Sequence, residues 1–354
     1  MNARGSLWAL LFYDVAESID LRKLRDILGV APAAREPRFK HATPEYVRFE
    51  KPPLEQPADA PPLESGERLD ARVKYFDYGV MAVELELPFD LPWELLIERS
   101  SQWIGAPEIE KTAAALARRH AAVARPAFDQ PYPDWVTEDY YVIHLVTAPL
   151  PAEALLAECG AGIVQLIRGE TRPLSAAECQ DTLKSSLSYY PSDLLVVGWI
   201  AALVYDTAEG AAPAIQLLEY ANTQLLEFRY YDELLTRVLG AVYKSLGRRG
   251  MLRRWRMARE AERLNQIRLD ITELTERIDN AIKFLSDMFY ARAYRLAAAR
   301  IGVSDYRNLV DAKLRTAGEL YEFMVDQFHH ARAFILEALV VAILIIELGR
   351  LFWH

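Results

Sequence analysis

The strongest constraint on the fold is a heptad ladder near the C-terminal end. From Val310 the apolar positions Leu314, Ala317, Tyr321, Met324, Phe328, Ala331, Ile335, Ala338, Ala342 and Ile345 follow at alternating gaps of four and three. That spacing keeps one stripe of a helix against a partner. A single straight helix cannot cover its own seam, so the ladder demands long helical neighbours or further copies of the chain. Leu314, Tyr321, Met324, Phe328 and Ile335 are the expected oligomer seam.

The last third of the ladder coincides with an apolar stretch, 333–353, long enough as a helix to cross the ~30 Å hydrocarbon core of a bilayer. Roughly thirteen Leu, Ile, Val and Phe side chains at about −0.3 to −0.6 kcal/mol each oppose Glu337 and Glu347, each unfavourable by ~2.5–3.5 kcal/mol at the bilayer centre and less near its edges. The balance favours a C-terminal membrane anchor built from Phe334, Glu337, Val340, Ile343, Ile346, Glu347, Arg350 and Trp353, over the alternative of a buried core helix. A carboxylate in a span is least unfavourable at a helix contact, which again points to a homo-oligomer.

Composition removes several function classes. The formal net charge of −9 argues against bulk DNA binding, and 52% hydrophobic with 26% charged residues is ordinary globular usage for a chain of 354 residues. Only Cys159 and Cys179 are present, too few for a disulfide framework or a tetrahedral metal set. The stretch Leu7–Tyr13 is too short and too soon broken by Asp14 to be a signal peptide. The expected location is therefore the inner (cytoplasmic) membrane, with the body in the cytoplasm and one C-terminal span.

Up to Asp206 the chain alternates strand and helix signals. Leu7–Tyr13, Tyr46–Phe49, Arg72–Tyr78, Val80–Leu87, Tyr140–Val146, Ile163–Ile167, Ser185–Tyr190 and Leu194–Tyr205 are strand-like by length and by their β-branched and aromatic content. Ser18–Leu28, Pro92–Trp103, Glu108–Ala122, Ala152–Glu158 and Ser175–Leu183 carry helical spacing, and the proline-rich 51–66 is an expected loop. Two α/β units follow, 1–125 and 136–206. Thereafter helix formers dominate. Ladders through Leu218, Leu225, Leu235, Leu239 and Val242, and through Leu264, Ile267, Ile271 and Leu285, predict an antiparallel long-helix hairpin over 211–300. A membrane-proximal helix, 304–332, leads into the span. The expected class is thus α+β: an N-terminal α/β body of two small sheet-containing units, long coiled-coil-like helices and a transmembrane helix.

Between Lys244 and Arg259 lie seven basic residues and no acidic one. Arg248, Arg249, Arg253, Arg254, Arg256 and Arg259, with Trp255 among them, form a basic turn suited to anionic lipid headgroups or a ribosome, against the plainer reading of a solvated turn. Catalytic signatures are missing. The six histidines are scattered, no glycine loop cradles phosphate, and no nucleophile elbow occurs. No cofactor and no metal are expected, and Tyr230, Tyr231, Asp232 and Glu233 are expected to be a polar layer that fixes helix register.

The segment Tyr75-Phe76-Asp77-Tyr78-Gly79-Val80-Met81-Ala82-Val83, the later Leu218-Glu219-Tyr220, and the tail from Leu336-Glu337 through Glu347 together resemble the "required for meiotic nuclear division" family of membrane proteins. The resemblance implies an α/β body, long helices and one C-terminal anchor. It further implies oligomers at the mitochondrial inner membrane that support translation, although no targeting presequence is visible here and a bacterial-type layout fits better. The expected function is a non-enzymatic, membrane-anchored oligomeric scaffold that presents its body to partners. One alternative is a channel or transport subunit, but the two-helix cation channels need two spans and a Gly-Met-Asn loop where this chain has Gly250, Met251 and Leu252. The other is an enzyme with a pocket in the α/β body.

Overall fold

A strand apolar on both faces must be covered on both, and that requirement sets the centre of the sheet. In the computed structural model, which describes residues 2–29, 52–146, 150–246, 262–269, 271–272 and 288–352, strand β1 (Asn2–Ile19) has every residue from 9 to 16 buried. The backbone alone is described at 245–246, 288, 323–339, 342 and 346–352. Seven further strands join β1: β2 (Leu54–Ala58), β3 (Asp70–Tyr75), β4 (Val80–Pro92), β5 (Phe128–Val146), β6 (Ser186–Leu187), β7 (Leu194–Val197) and β8 (Ala201–Asp206). Their order is β2-β3-β4-β1-β5-β8-β7-β6. Every pairing is antiparallel except β5 with β8.

The expected pair of small α/β units is therefore one eight-stranded sheet, because β5 pairs with β1 on one side and β8 on the other. The Leu7↔Ile143 register that fuses them spans most of the sheet-forming sequence. Several local expectations also yield. Ile163–Ile167 is the last part of helix α4 (Ala152–Arg168), where a short β-branched run continues a helical face begun at Leu155 and Gly169 closes it in a left-handed turn at φ 65°. β5 continues through Pro131 and Pro133, with a register shift against β1 between Asp14 and Ala16. Leu194–Tyr205 is a hairpin rather than one strand, turning at 198–200. β2 occupies part of the expected loop 51–66, and the expected strand Tyr46–Phe49 lies outside the described residues.

Alternation then assigns the two faces of the sheet. Odd-numbered residues Leu7, Ala9, Leu11, Val83, Leu85 and Ile143 pack in the main core with helices α2 (Trp93–Trp103), α3 (Pro107–Ala124) and α4, beside the small helices α1 (Leu21–Leu28) and α5 (Ala176–Leu183). The even-numbered face lies under helix α6 (Ala208–Leu246), whose residues 217–228 are all buried. Helices α7 (Met288–Ile301) and α8 (Val303–Phe352) follow.

The chain forms two compact units. The first comprises Met1–Tyr230 and Ile278–Tyr306, and the second Tyr231–Arg277 and Arg307–His354. In the second, the ladder positions Leu235, Leu239, Val242, Leu264, Ile267, Ile271, Val310 and Ala317 are buried. They are bundle core. Lys313 of α8 reaches Asp232 Oδ1 at 2.5 Å and Thr236 Oγ1 at 2.6 Å, a polar layer on the α6 ladder.

The membrane expectation is overturned. No helix among the described residues is long and apolar enough to cross a membrane. The physical reason lies in the charges: Glu337 and Glu347 leave only 338–346 uncharged, and those nine residues span about 14 Å at 1.5 Å each, under half of the ~30 Å hydrocarbon core. Phe334, Glu337, Val340, Ile343, Ile346, Glu347 and Arg350 lie instead on the distal part of α8, and Trp353 lies outside the described residues. The transmembrane, tail-anchored and inner-membrane assignments fall together.

Candidate functional site

The features that carry chemistry gather where α6 crosses the even-numbered face of the sheet. Most of that face is apolar, as Leu10 and Phe12 illustrate at 0% exposure. Lys74 of β3, Glu84 of β4 and Asp14 of β1 break the pattern. A charged residue on a covered face must find a partner or give up its charge.

Lys74 finds two. Its Nζ lies 2.5 Å from Glu84 Oε1 and 2.7 Å from Glu219 Oε2 of α6, and these carboxylates are 2% and 0% exposed. Burial disfavours the ammonium, but the attraction of Glu219 and Glu84 and their hydrogen bonds outweigh it, so Lys74 is held protonated above its ordinary range. Two carboxylates against one ammonium leave one negative charge too many for a dry site. Burial pushes Glu219 up to about 8, with Lys74 opposing the shift and the Glu84 charge adding to it. Its second oxygen, Oε1, is buried without a hydrogen-bond partner. At neutral pH Glu219 is therefore a protonated acid beside the Lys74 ammonium.

The next turn of α6 is held by the β3–β4 turn. Phe76 N–H donates to Val80 O at 2.9 Å, and Gly79 N–H to Phe76 O at 3.2 Å. Gly79 sits at φ 95°, and a Cβ there would lie 1.9 Å from the Ala16 carbonyl oxygen of β1. Only glycine lets this turn close on β1. The turn presents Phe76, whose ring meets Tyr78 at 5.4 Å and Tyr220 edge-on at 5.7 Å. Tyr78 Oη lies 2.8 Å from Thr223 Oγ1. Because the threonine hydroxyl donates to Tyr220 O at 2.8 Å, the Tyr78 hydroxyl is the donor.

A third polar group lies further along α6. Asp14 is 1% exposed with Oδ2 unpartnered, and burial pushes it up to about 8. Tyr132 of β5 stacks on Tyr230 at 4.9 Å; burial, followed by the Asp14 charge and the Tyr230 hydrogen bond, holds its phenol well above the usual range. Arg229 pairs with Glu138 of β5. Glu219, Thr223 and Glu227, one helical turn apart, thus lie in a polar stripe of α6 over a polar stripe of the sheet.

This arrangement can hold charge, keep a proton and tether a helix. Among the described residues no group of three or more His, Cys, Asp and Glu could hold a metal. His144 Nε2 is engaged with Asp206 O at 3.1 Å, and burial followed by the Arg119 charge lowers the His120 pKa. A cavity of about 20 Å³ beside Asp193, Tyr205, Phe289 and Tyr290 has room for roughly one water molecule.

Of the residues singled out in sequence, the basic turn of Arg248, Arg249, Arg253, Arg254, Trp255, Arg256 and Arg259 lies outside the described residues. Of the seam, Leu314 is half-buried and Tyr321 is exposed; Met324, Phe328 and Ile335 are helical, with side chains outside the description. In sequence, Glu219 stands out only as part of a resemblance, and Tyr75–Val83 as strand-like sequence and part of the same resemblance. The structure brings them into contact, with Lys74 and Glu84, which no motif flags. Their signal was local: a lysine and a glutamate set between buried residues, Val73 and Tyr75 on β3 and Val83 and Leu85 on β4.

A family model described as "Uncharacterized protein MJ0711, N-terminal domain" matches residues 4–212, which run through all eight strands and end in the first turns of α6. The uncharacterized protein MJ0711 of Methanocaldococcus jannaschii is 19% identical over 208 residues, 59% of this chain and 64% of that protein's length. No solved structure matches. With well over half of its length matched by the family model, the chain belongs to the MJ0711 N-terminal domain family.

Proposed function

We propose that the protein is a self-associating, non-enzymatic scaffold made of a sheet-containing unit and a unit of long helices. The observation that carries this reading is the distal part of α8. Val340, Val341, Ile343, Leu344 and Ile345 are each 50–66% exposed, and they cover a little more than half of the helix circumference. Exposed apolar surface of this extent marks an interaction site.

The occupant is a second copy of the chain. The heptad spacing that buries Val310 and Ala317 inside this chain continues without a break to Ile345. Among the described residues the seam thus outruns the partners that its own chain supplies, and an identical helix in register supplies the missing face. Alanines at 331, 338 and 342 let two backbones approach closely there. The buried clasp beneath α6 suits a scaffold too, since Glu84 and Glu219 are closed from solvent and serve to hold the helix on the sheet.

The test is the mass of the full chain by light scattering after gel filtration, at tens of micromolar, beside the double variant Ile335→Lys and Ile345→Lys. A multimer that becomes a monomer in the variant is expected. A monomeric parent chain, or a variant that keeps the multimer's mass, would overturn the reading.

A further inference from the structure

The clasp under α6 has a property that a purely structural ion pair lacks. Facing Glu219 are Lys74 from β3 and Glu84 from β4, while the Glu219 and Asp77 charges both bear on the neighbouring Tyr220 phenol. One ammonium is the only cation in this set. Glu219 is 0% exposed, one of its oxygens has no partner, and Asn222 Oδ1, one turn on, is likewise buried and unpartnered. An ionised carboxylate tolerates neither the excess negative charge nor an unsolvated oxygen, whereas a carboxylic acid removes both problems.

We infer that docking of α6 onto the sheet takes up one proton at Glu219, so that the helix is clasped more tightly as the medium becomes more acidic. The sign follows from linkage. Released from the sheet, Glu219 is an ordinary solvated glutamate that ionises near pH 4.3; docked, it keeps its proton to about pH 8. Between those values docking binds a proton, and its equilibrium constant falls about tenfold per pH unit. Above the upper value the dependence from this group levels off. Because α6 runs on from Tyr230 into the second unit, the proton governs how firmly one end of that helix is held.

Hydrogen–deuterium exchange of the full chain between pH 5.5 and 9 tests this, read on the amides of 217–228 and corrected for the intrinsic pH dependence of exchange. The Glu219→Gln variant should lose one proton's worth of slope, so that protection changes by about tenfold less per pH unit than in the parent chain. Glu84→Gln should do the same by another route: Lys74 then faces a single carboxylate, and Glu219 ionises against it. Parallel profiles in the parent chain and both variants would overturn the inference. The second variant keeps the test decisive if the first does not fold.

Discussion

Replacing Lys74 by Met tests whether the clasp is held by charge or merely filled by a side chain. Methionine keeps much of the volume and removes the cation. What remains is Glu84 at 2% exposure and Glu219 at 0%, with no ammonium between them. With the cation gone, two buried carboxyl groups are left facing each other without compensation. Removing one member of a buried pair generally costs ~3–5 kcal/mol, and a loss of that size, about 3–5 kcal/mol, is expected at pH 7. Urea unfolding followed by tryptophan fluorescence would measure it. A loss below about 1 kcal/mol at pH 7 would refute the reasoning.

Other changes probe the same architecture. Gly79→Ala should destabilise by about 3 kcal/mol or more, since the methyl would meet the Ala16 carbonyl at 1.9 Å and the φ of 95° is strained for alanine; a thermal midpoint equal to that of the parent chain would contradict this. Tyr78→Phe leaves the ring but removes the donor to Thr223, and about 1–1.5 kcal/mol should be lost in the same urea assay. Asp14, buried with one oxygen unpartnered and pushed up to about 8, binds a proton more tightly folded than unfolded. Its contribution is full below about pH 4 and lost as the pH rises toward 8, so Asp14→Asn should flatten the stability profile over that window by about one proton. Lys313→Ala removes the ion pair with the part-buried Asp232 in the second unit, and calorimetry should find a loss of only about 1 kcal/mol.

How much of this was legible depends on the range of the interaction involved. The β3–β4 hairpin around Gly79, α2 and α3 were readable because each rests on near neighbours: an apolar period, a proline near a helix start, a glycine that alone accepts the turn. Ile163–Ile167 is ambiguous in sequence because a five-residue run with four apolar members, two of them β-branched isoleucines at its ends, satisfies a strand and a buried helix equally well. The packing of Leu155, Ile163 and Ile167 into the core resolved that ambiguity. For the membrane span, hydropathy summed over twenty residues hid what position showed, that Glu337 and Glu347 confine the uncharged run to one too short to cross. The clasp was invisible as a site, since Lys74 and Glu219 are 145 residues apart.

The sequence by itself determined the change from sheet-forming to helix-forming chain near Asp206, the heptad spacing of the long helices and the special glycine between β3 and β4. All three are properties of consecutive residues. Only the tertiary structure decided that β1 and β5 would join the strands into one sheet and which of its faces α6 would cover. It also decided that Glu219 would meet Lys74 and Glu84 in a place with room for one positive charge. Those outcomes depend on pairings between distant segments, and the proton on Glu219 follows from them, because its energy is set by what surrounds the carboxyl after the chain has folded.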